Sequence, residues 1–375
     1  MKFSELDLEE SVLDALDAMN FRECTPVQEH TIPVILEGRD LIGVAQTGTG
    51  KTAAYLLPVL NQLSKGGYSE DVINCVVMSP TRELAQQIDQ QMEGFSYFMP
   101  VSSVAIYGGN DGIRYEQEKK GLALGADVVI ATPGRLISHI NLGNVDLSKV
   151  SFFILDEADR MLDMGFIHDI KRLLLKLPKE KQTLFFSATM PDVLVSIMNS
   201  LLKNPVKISV TPKSSTVSAI EQKVYFVEKK EKSQLLISIL QQSDVQSVLV
   251  FSRTKHNADK IVKVLSKAGI GSQAIHGNKS QSARQTALGN FKSGKTRVMI
   301  ATDIASRGID INELPLVINY DLPDVPETYV HRIGRTGRAG NEGTALTFCS
   351  QEERKLVNDI QKLTGKKLNK ADFAI

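Results

Sequence analysis

The sequence predicts an α/β protein made of two tandem domains, each a mainly parallel sheet flanked by helices. Three observations lead there. Short β-branched runs alternate with amphipathic stretches of helical period over most of the 375 residues, the pattern of repeated βαβ units. That length exceeds one ordinary core and suits two domains of roughly 150–200 residues. The alternation breaks once, near Pro205, and resumes after residue 218.

In the first half, residues 40–45 (DLIGVA), 74–79 (NCVVMS), 103–107 (SVAIY), 127–131 (DVVIA), 152–156 (FFILD) and 183–188 (TLFFSA) read as buried strands. The stretches between them carry helical spacing, as in Leu84-Ala85-Gln86-Gln87-Ile88. Residues 208–218, ISVTPKSSTVS, are rich in Ser, Thr and Lys, contain a proline and show no helical period, so they read as a linker. Beyond it, residues 222–228, 247–252, 272–276, 296–301, 314–320 and 344–349 read as strands. The expected domains are therefore 1–207 and 219–375, joined by 208–218.

Composition narrows the class without naming it. A chain with 42% hydrophobic and 23% charged residues is folded and globular, and a net charge of +1 confers no general attraction for nucleic acid. Binding of that kind has to rest on local charge, backbone amides and helix N-termini. Cys24, Cys75 and Cys349 are far apart and lack CxxC spacing, which argues against a zinc or redox site. The N-terminal MKFSELDLEESVL lacks the basic and apolar regions of a signal peptide, and no apolar run approaches the ~20 residues of a membrane span. A cytoplasmic protein without membrane contact is expected.

Two stretches compete as a phosphate-binding loop. Residues 289–296, GNFKSGKT, match GxxxxGK[ST] letter for letter, whereas 45–52, AQTGTGKT, has Ala45 where the pattern wants glycine. Context favours 45–52. A phosphate loop leaves a strand and opens a helix, so that backbone N–H groups converge on the ligand. AQTGTGKT follows DLIGV and precedes TAAYLLPVLNQL, while GNFKSGKT has a helical stretch before it and a strand after it. Lys51 is then expected at the β/γ-phosphates and Thr52 at Mg²⁺, with Gln46, Thr47, Gly48, Thr49 and Gly50 forming the cradle. A plain glycine-rich turn is the bland alternative.

Asp156, Glu157 and Asp159 follow the apolar run FFIL directly. Asp156 therefore falls at the carboxyl end of a strand, where α/β sheets bind ligands. A carboxylate there suits the Mg²⁺ hydration shell opposite Thr52, and Glu157 suits a base that positions and deprotonates the attacking water. N-capping explains one such acid, not three in four positions.

Taken together, AQTGTGKT and DEAD (156–159) make the chain similar to the DEAD-box ATP-dependent RNA helicases. PTRELA (80–85), Gly108-Gly109, TPGR (132–135), SAT (187–189), FSRT (251–254), HG (276–277), Gln281 with Arg284, ATDIASRGID (301–310) and HRIGRTGR (331–338) occur in that family's order across both halves. The ASRGID block and the length most resemble the bacterial RhlE-type subgroup. The resemblance implies two RecA-like domains that close on ATP, Mg²⁺ and RNA, with the active site in the cleft between them.

It also implies residue roles. Gln28 is expected to read the adenine edge and Phe21 to stack on the base, with Phe3 as the family's upstream aromatic; Asn20 and Cys24 stand where glycine and proline are common. Asp310 is expected at the ribose. Arg335 and Arg338 are expected as arginine fingers supplied by the second domain to the γ-phosphate. The RNA-facing set is Arg82, Gly109, Thr132, Gly134 and Arg135, then Arg253, Gly277, Arg284 and Thr302; small residues, hydroxyls and arginines suit phosphates and 2′-OH groups better than base edges. Ser187 and Thr189 are expected to couple the ATP and RNA sides, and Asp159 with His331 to meet across the domains.

The leading expectation is RNA-stimulated ATP hydrolysis that locally separates short duplexes. An ATP-gated RNA clamp within a ribonucleoprotein uses the same residues and stays open. A DNA translocase of the same superfamily is disfavoured by the DEAD tetrad, Gln28 and the 2′-OH contacts. A monomer is expected, with RNA specificity supplied by appended segments or ribonucleoprotein partners.

Overall fold

The computed structural model describes residues 1–46, 48–108, 112–210, 220–306, 311, 314–337 and 343–372. The chain divides into two compact units, Met1–Pro212 and Lys213–Ile375. Each is built on a parallel sheet.

In the first unit the strands are β1 (Leu41–Val44), β2 (Cys75–Met78), β3 (Ser103–Ile106), β4 (Val128–Ala131), β5 (Phe152–Leu155), β6 (Gln182–Ser187) and β7 (Val206–Ser209). Their order across the sheet is β3-β4-β2-β5-β6-β1-β7, and every pairing is parallel. The apolar runs CVVM, VVIA and FFIL are buried at every position because helices cover both faces. Alternation splits them between two core layers: Phe186 packs with Tyr55 and Phe95 on one face, and Phe185 with Phe153 and Met161 on the other.

The second unit repeats the plan with β8 (Ile220–Phe226), β9 (Val248–Phe251), β10 (Ser272–Ile275), β11 (Val298–Ala301), β12 (Leu316–Asn319), β13 (Gly343–Cys349) and β14 (Asn369–Ala371). The order is β10-β11-β9-β12-β13-β8-β14, again parallel throughout. In a parallel sheet all carboxyl ends share one edge, and the loops at that edge carry the motifs.

Two edge strands differ from the sequence expectation. β7 pairs with β1 from Leu41↔Val206 to Val44↔Ser209, and Val210 N–H donates to Val44 at 2.9 Å. Residues 208–210, expected in the linker, therefore extend the first sheet; 211–219 lie outside the described residues. β7 is half-exposed at alternate positions and short, so it shows little apolar signal. β14, Asn-Lys-Ala, hides in a lysine-bearing tail and is mostly exposed.

The letter-perfect GNFKSGKT stretch closes the helix Gln281–Lys292, with Gly294 left-handed at φ +74° just beyond it. Thr296 donates to Gln273 Oε1 at 2.8 Å, and β11 follows. This is the carbonyl end of a helix, the wrong polarity for a phosphate.

Candidate functional site

β1 delivers the loop 45–50 into the helix Lys51–Ser64. Ala45 is still part of the sheet: its N–H donates to Ser187 at 2.9 Å, and it has no positive φ, so the missing glycine costs the loop nothing. The turn itself needs Gly48 (φ +82°) and Gly50 (φ +88°). Thr49 donates to the Gln46 carbonyl at 2.7 Å, and the buried Lys51 ammonium reaches back to the Ala45 carbonyl at 2.9 Å. Thr52 is half-buried in the first turn, where the positive end of the helix dipole lies. Thr47 lies outside the described residues.

Across the sheet edge, Asp156 follows β5 directly. Its side chain is 2% exposed. Oδ2 accepts from the Tyr55 hydroxyl at 3.0 Å and Oδ1 from the Glu157 N–H at 2.9 Å. Burial raises the Asp156 carboxyl to about 6 against the opposing pull of Lys51, while Glu157 reinforces the rise. Burial and the Asp156 charge push the Tyr55 phenol well above its ordinary range. Glu157 adopts a left-handed backbone (φ +50°) as it enters the helix Ala158–Asp163, and its carboxylate pairs with buried Arg160 one turn on. A side chain held in that sparsely populated region marks a functional turn.

Asp159 closes the link to β6. Its Oδ2 accepts from the Thr189 N–H at 2.9 Å and hydroxyl at 2.8 Å. Ser187 Oγ accepts from the Asp159 N–H at 3.2 Å and donates to the Thr189 carbonyl at 2.7 Å. One network therefore joins the SAT turn, the DEAD helix and, through Ala45, the phosphate loop.

Gln28 faces the loop. In the helix Pro26–Leu36 its Oε1 accepts from the Thr25 N–H at 2.8 Å and its Nε2 donates to Gly50 at 3.0 Å. A Cβ on Gly50 would meet that nitrogen at 2.4 Å. Both amide groups expected to read adenine are thus engaged within the protein. Phe21 is half-buried and meets Phe95 edge-on at 5.5 Å. The two departures from the family pattern fit the backbone: Asn20 takes φ +59°, which asparagine tolerates, and the Cys24 N–H donates to Met1 at 2.9 Å, a bond proline could not make. Phe3 is a core residue.

The expected RNA-facing residues of the first unit follow three adjacent strands. Arg82 opens the helix Arg82–Phe95 after β2. Thr132 caps the helix Pro133–Asn141 after β4, with exposed Gly134 and part-buried Arg135 in its first turn. Gly108 follows β3; Gly109 lies outside the described residues. β3, β4 and β2 are neighbours, as are β5, β6 and β1. One sheet edge is thus split between two motif sets.

In the second unit Arg253, Gly277 and Thr302 follow the adjacent strands β9, β10 and β11. Gly277 is exposed, Thr302 is buried, and Arg284 lies in the helix Gln281–Lys292. Arg253 Nη2 donates to Leu322 at 2.9 Å and to Glu353 at 2.9 Å. His331 is exposed near the end of the helix Pro326–Ile333, and buried Arg335 follows that helix. Asp310 and Arg338 lie outside the described residues.

Comparison with known proteins decides the family. Residues 25–197 match the DEAD/DEAH box helicase model and 231–340 the helicase conserved C-terminal domain model. The ATP-dependent RNA helicase CshA of Listeria monocytogenes is 42% identical over 98% of this chain and 69% of its own length. The chain belongs to the DEAD-box ATP-dependent RNA helicases. The DEAD-box helicase CshA of Geobacillus kaustophilus is 40% identical over 98% of this chain and 78% of its own length. Among solved structures, S. cerevisiae Dbp5 bound to RNA and ADP–BeF3 superposes with a TM-score of 0.85 at 30% identity, covering 99% of this chain and 95% of that one. A DEAD box protein from Methanococcus jannaschii gives 0.55 at 37% identity, covering 99% of both chains. Both sheets therefore belong to tandem RecA-like helicase domains.

Sequence reading missed several residues that hold the motif segments in place within each unit. Tyr55 gave a weak signal, a hydroxyl on an otherwise apolar helix face. Arg160 gave none, because an arginine after DEAD reads as surface. Arg332 was grouped with the other motif arginines, yet it is 1% exposed and grips Asp303 with two nitrogens at 2.6 and 2.7 Å.

Proposed function

We propose that this helicase hydrolyses ATP when bound RNA draws its two domains together, and that the same closure separates short duplexes locally without sequence preference. The observation that carries the reading is the divided sheet edge of the first unit. Nucleotide-type residues follow β5, β6 and β1, RNA-type residues follow β3, β4 and β2, and the Asp159–Thr189–Ser187 network lies at the nucleotide half.

Lys51 would leave the Ala45 carbonyl for the β/γ-phosphates, while the amides of 46–51 hold the phosphate oxygens. Thr52 and Asp156 would hold Mg²⁺, since both offer hard oxygens. Bound there, Mg²⁺ would supply charge neutralisation for the phosphates. Glu157 would exchange Arg160 for the attacking water and take its proton. Arg335 and Arg338 would bring charge from the second domain, Asp310 would hold the ribose, and Phe21 and Gln28 the adenine. Gln28 must first give up its bonds to Thr25 and Gly50. Asp159 and His331 would meet on closure, joined through the 208–218 segment, of which 208–210 stay with the first sheet.

Arg82, Gly109, Thr132, Gly134, Arg135, Arg253, Gly277, Arg284 and Thr302 would track the RNA backbone, which gives affinity without base readout. No helix among the described residues is long and apolar enough to cross a membrane. A cytoplasmic location, a monomeric state and ribonucleoprotein partners belong to the same proposal. An RhlE-type assignment rests on the length, the compact core and the ASRGID block, and gains nothing from relatives named CshA.

The test is steady-state ATP turnover with and without single-stranded RNA, paired with displacement of a short duplex. Absence of stimulation at saturating RNA sinks the reading. Stimulated turnover with long-lived RNA binding and no displacement favours a clamp.

A further inference from the structure

Beneath the RNA-facing edge of the first unit lies a buried ionic cluster that the mechanism above does not use. Glu118, on the helix Gly112–Ala123, is 3% exposed. Its Oε1 accepts from the Gly108 backbone N–H at 3.0 Å, and its Oε2 accepts from Arg135 Nε at 2.5 Å. His139 Nε2 lies 3.1 Å from the same Oε2. The fully buried His139 stacks on Tyr115 with centroids 4.8 Å apart and planes 7° apart. Asn144 Nδ2 donates to the Tyr115 hydroxyl at 3.0 Å and lies 3.3 Å from His139 Nδ1, which leaves Nε2 as the nitrogen that donates to the carboxylate. The Arg135 guanidinium sits 4.7 Å over the Tyr115 ring, and Arg114 lies 3.8 Å over Tyr107 and 3.8 Å from Glu118.

One carboxylate thus holds two separate parts of the proposed RNA surface. It orders the backbone at Gly108, which leads into the Gly108-Gly109 loop, and it sets the direction of the TPGR arginine. The two parts also touch: Gly108 has φ +74°, and a Cβ there would meet Arg135 Cδ at 3.4 Å. Arg135 keeps 17% of its side chain exposed, so the guanidinium that Glu118 orients is still open to a phosphate. A buried carboxylate is retained only where its partners compensate its desolvation, and two of the partners here, Gly108 and Arg135, are motif residues.

We propose that Glu118 is a positioning residue for RNA, presetting Arg135 and the Gly108 backbone as one rigid phosphate clamp. An arginine already ordered by folding loses little further rotamer freedom when RNA arrives, so more of the contact appears as affinity. This rests on the reading of Arg135 as an RNA contact.

The test is the KM for single-stranded RNA in ATP turnover by the full chain, with ATP-analogue binding in the absence of RNA and the melting temperature as controls. Glu118→Leu removes every acceptor at similar volume. It is expected to raise the RNA KM about tenfold, the scale of one misplaced charge-assisted contact, with analogue binding unchanged. Glu118→Gln leaves one carbonyl oxygen for two sets of donors and is expected to fall between, at about threefold or more. In an Arg135→Ala background either change should raise the KM by less than it does alone, since only the Gly108 contact is then left to lose. A folded Glu118 variant with the parent RNA KM overturns the inference, as does full additivity with Arg135→Ala. If the leucine variant does not fold, the glutamine variant decides by the same criterion. An Arg135→Ala protein with unchanged RNA KM overturns instead the reading of Arg135 itself.

Discussion

Asp156 and Glu157 show how the surroundings of a single residue fix its charge and direction. Asp156 is held by Tyr55 and by the backbone of its neighbour while burial raises its carboxyl to about 6. Glu157 is turned onto Arg160 by a left-handed backbone. Replacing Lys51 with alanine or Glu157 with glutamine is expected to lower ATP turnover by at least ~10²-fold, measured as phosphate release with saturating RNA. Glu157→Gln should still bind an ATP analogue; an active Glu157→Gln protein would remove the proposed base. At Asn20 the backbone is left-handed. Asn20→Gly should therefore melt close to the parent protein, whereas Asn20→Val should lose about 1–2 kcal/mol in urea unfolding. The phosphate loop and the DEAD acids were legible in the sequence because they combine a fixed spacing with a strand just before them. The parked states of Gln28, Lys51 and Glu157 were not, since each depends on a carbonyl or guanidinium that spacing cannot reveal.

Elements are joined by buried charges as much as by apolar faces. In the second unit Lys232 is 2% exposed and donates to Glu353 at 2.6 Å and to the Tyr320 carbonyl at 2.9 Å. Glu353 also accepts from Ser350, Leu322 and Arg253, tying the helix Lys232–Gln242 and the start of the helix Arg354–Thr364 to the FSRT turn. Burial alone would raise the Glu353 carboxyl, but the Lys232 ammonium and the Ser350 donors outweigh it and hold it below its ordinary value. A depressed carboxyl stabilises the fold above its unfolded value, near 4.5, and loses that contribution as pH falls through the lower folded value. Glu353→Gln is expected to cost about 3 kcal/mol at pH 7 in urea unfolding, the cost of orphaning a buried cation. The difference from the parent should narrow as pH drops below 4.5; an equal gap at low pH would refute the assignment. Most strands were legible because buried parallel strands are continuous apolar runs. β7 and β14 were not, since edge strands are short and half-solvated, and only the partner strand makes them strands.

For the molecule as a whole, the proposed mechanism divides one reaction between two units. Arg335→Ala, in the second unit, is expected to reduce turnover by about 10³-fold while leaving ATP-analogue affinity nearly unchanged, since the phosphate loop belongs to the first. Loss of analogue binding on that change would argue against a finger role. With a net charge of +1, RNA affinity has to come from a few arginines and helix starts, so it should fall steeply with added salt. By itself the sequence determined the α/β class, the two-domain plan, the family and the strand-to-helix setting of 45–52. Strand rhythm, glycine spacing and motif order are local properties of the chain, and local chemistry writes them directly. Only the tertiary structure decided which strands are neighbours, and hence that the two sets of motif segments divide one sheet edge. It also decided that Glu118, unremarkable in a charged helical stretch, is buried against Gly108 and Arg135. Such pairings join residues far apart in the chain, where burial and partner geometry, not spacing, set the energy.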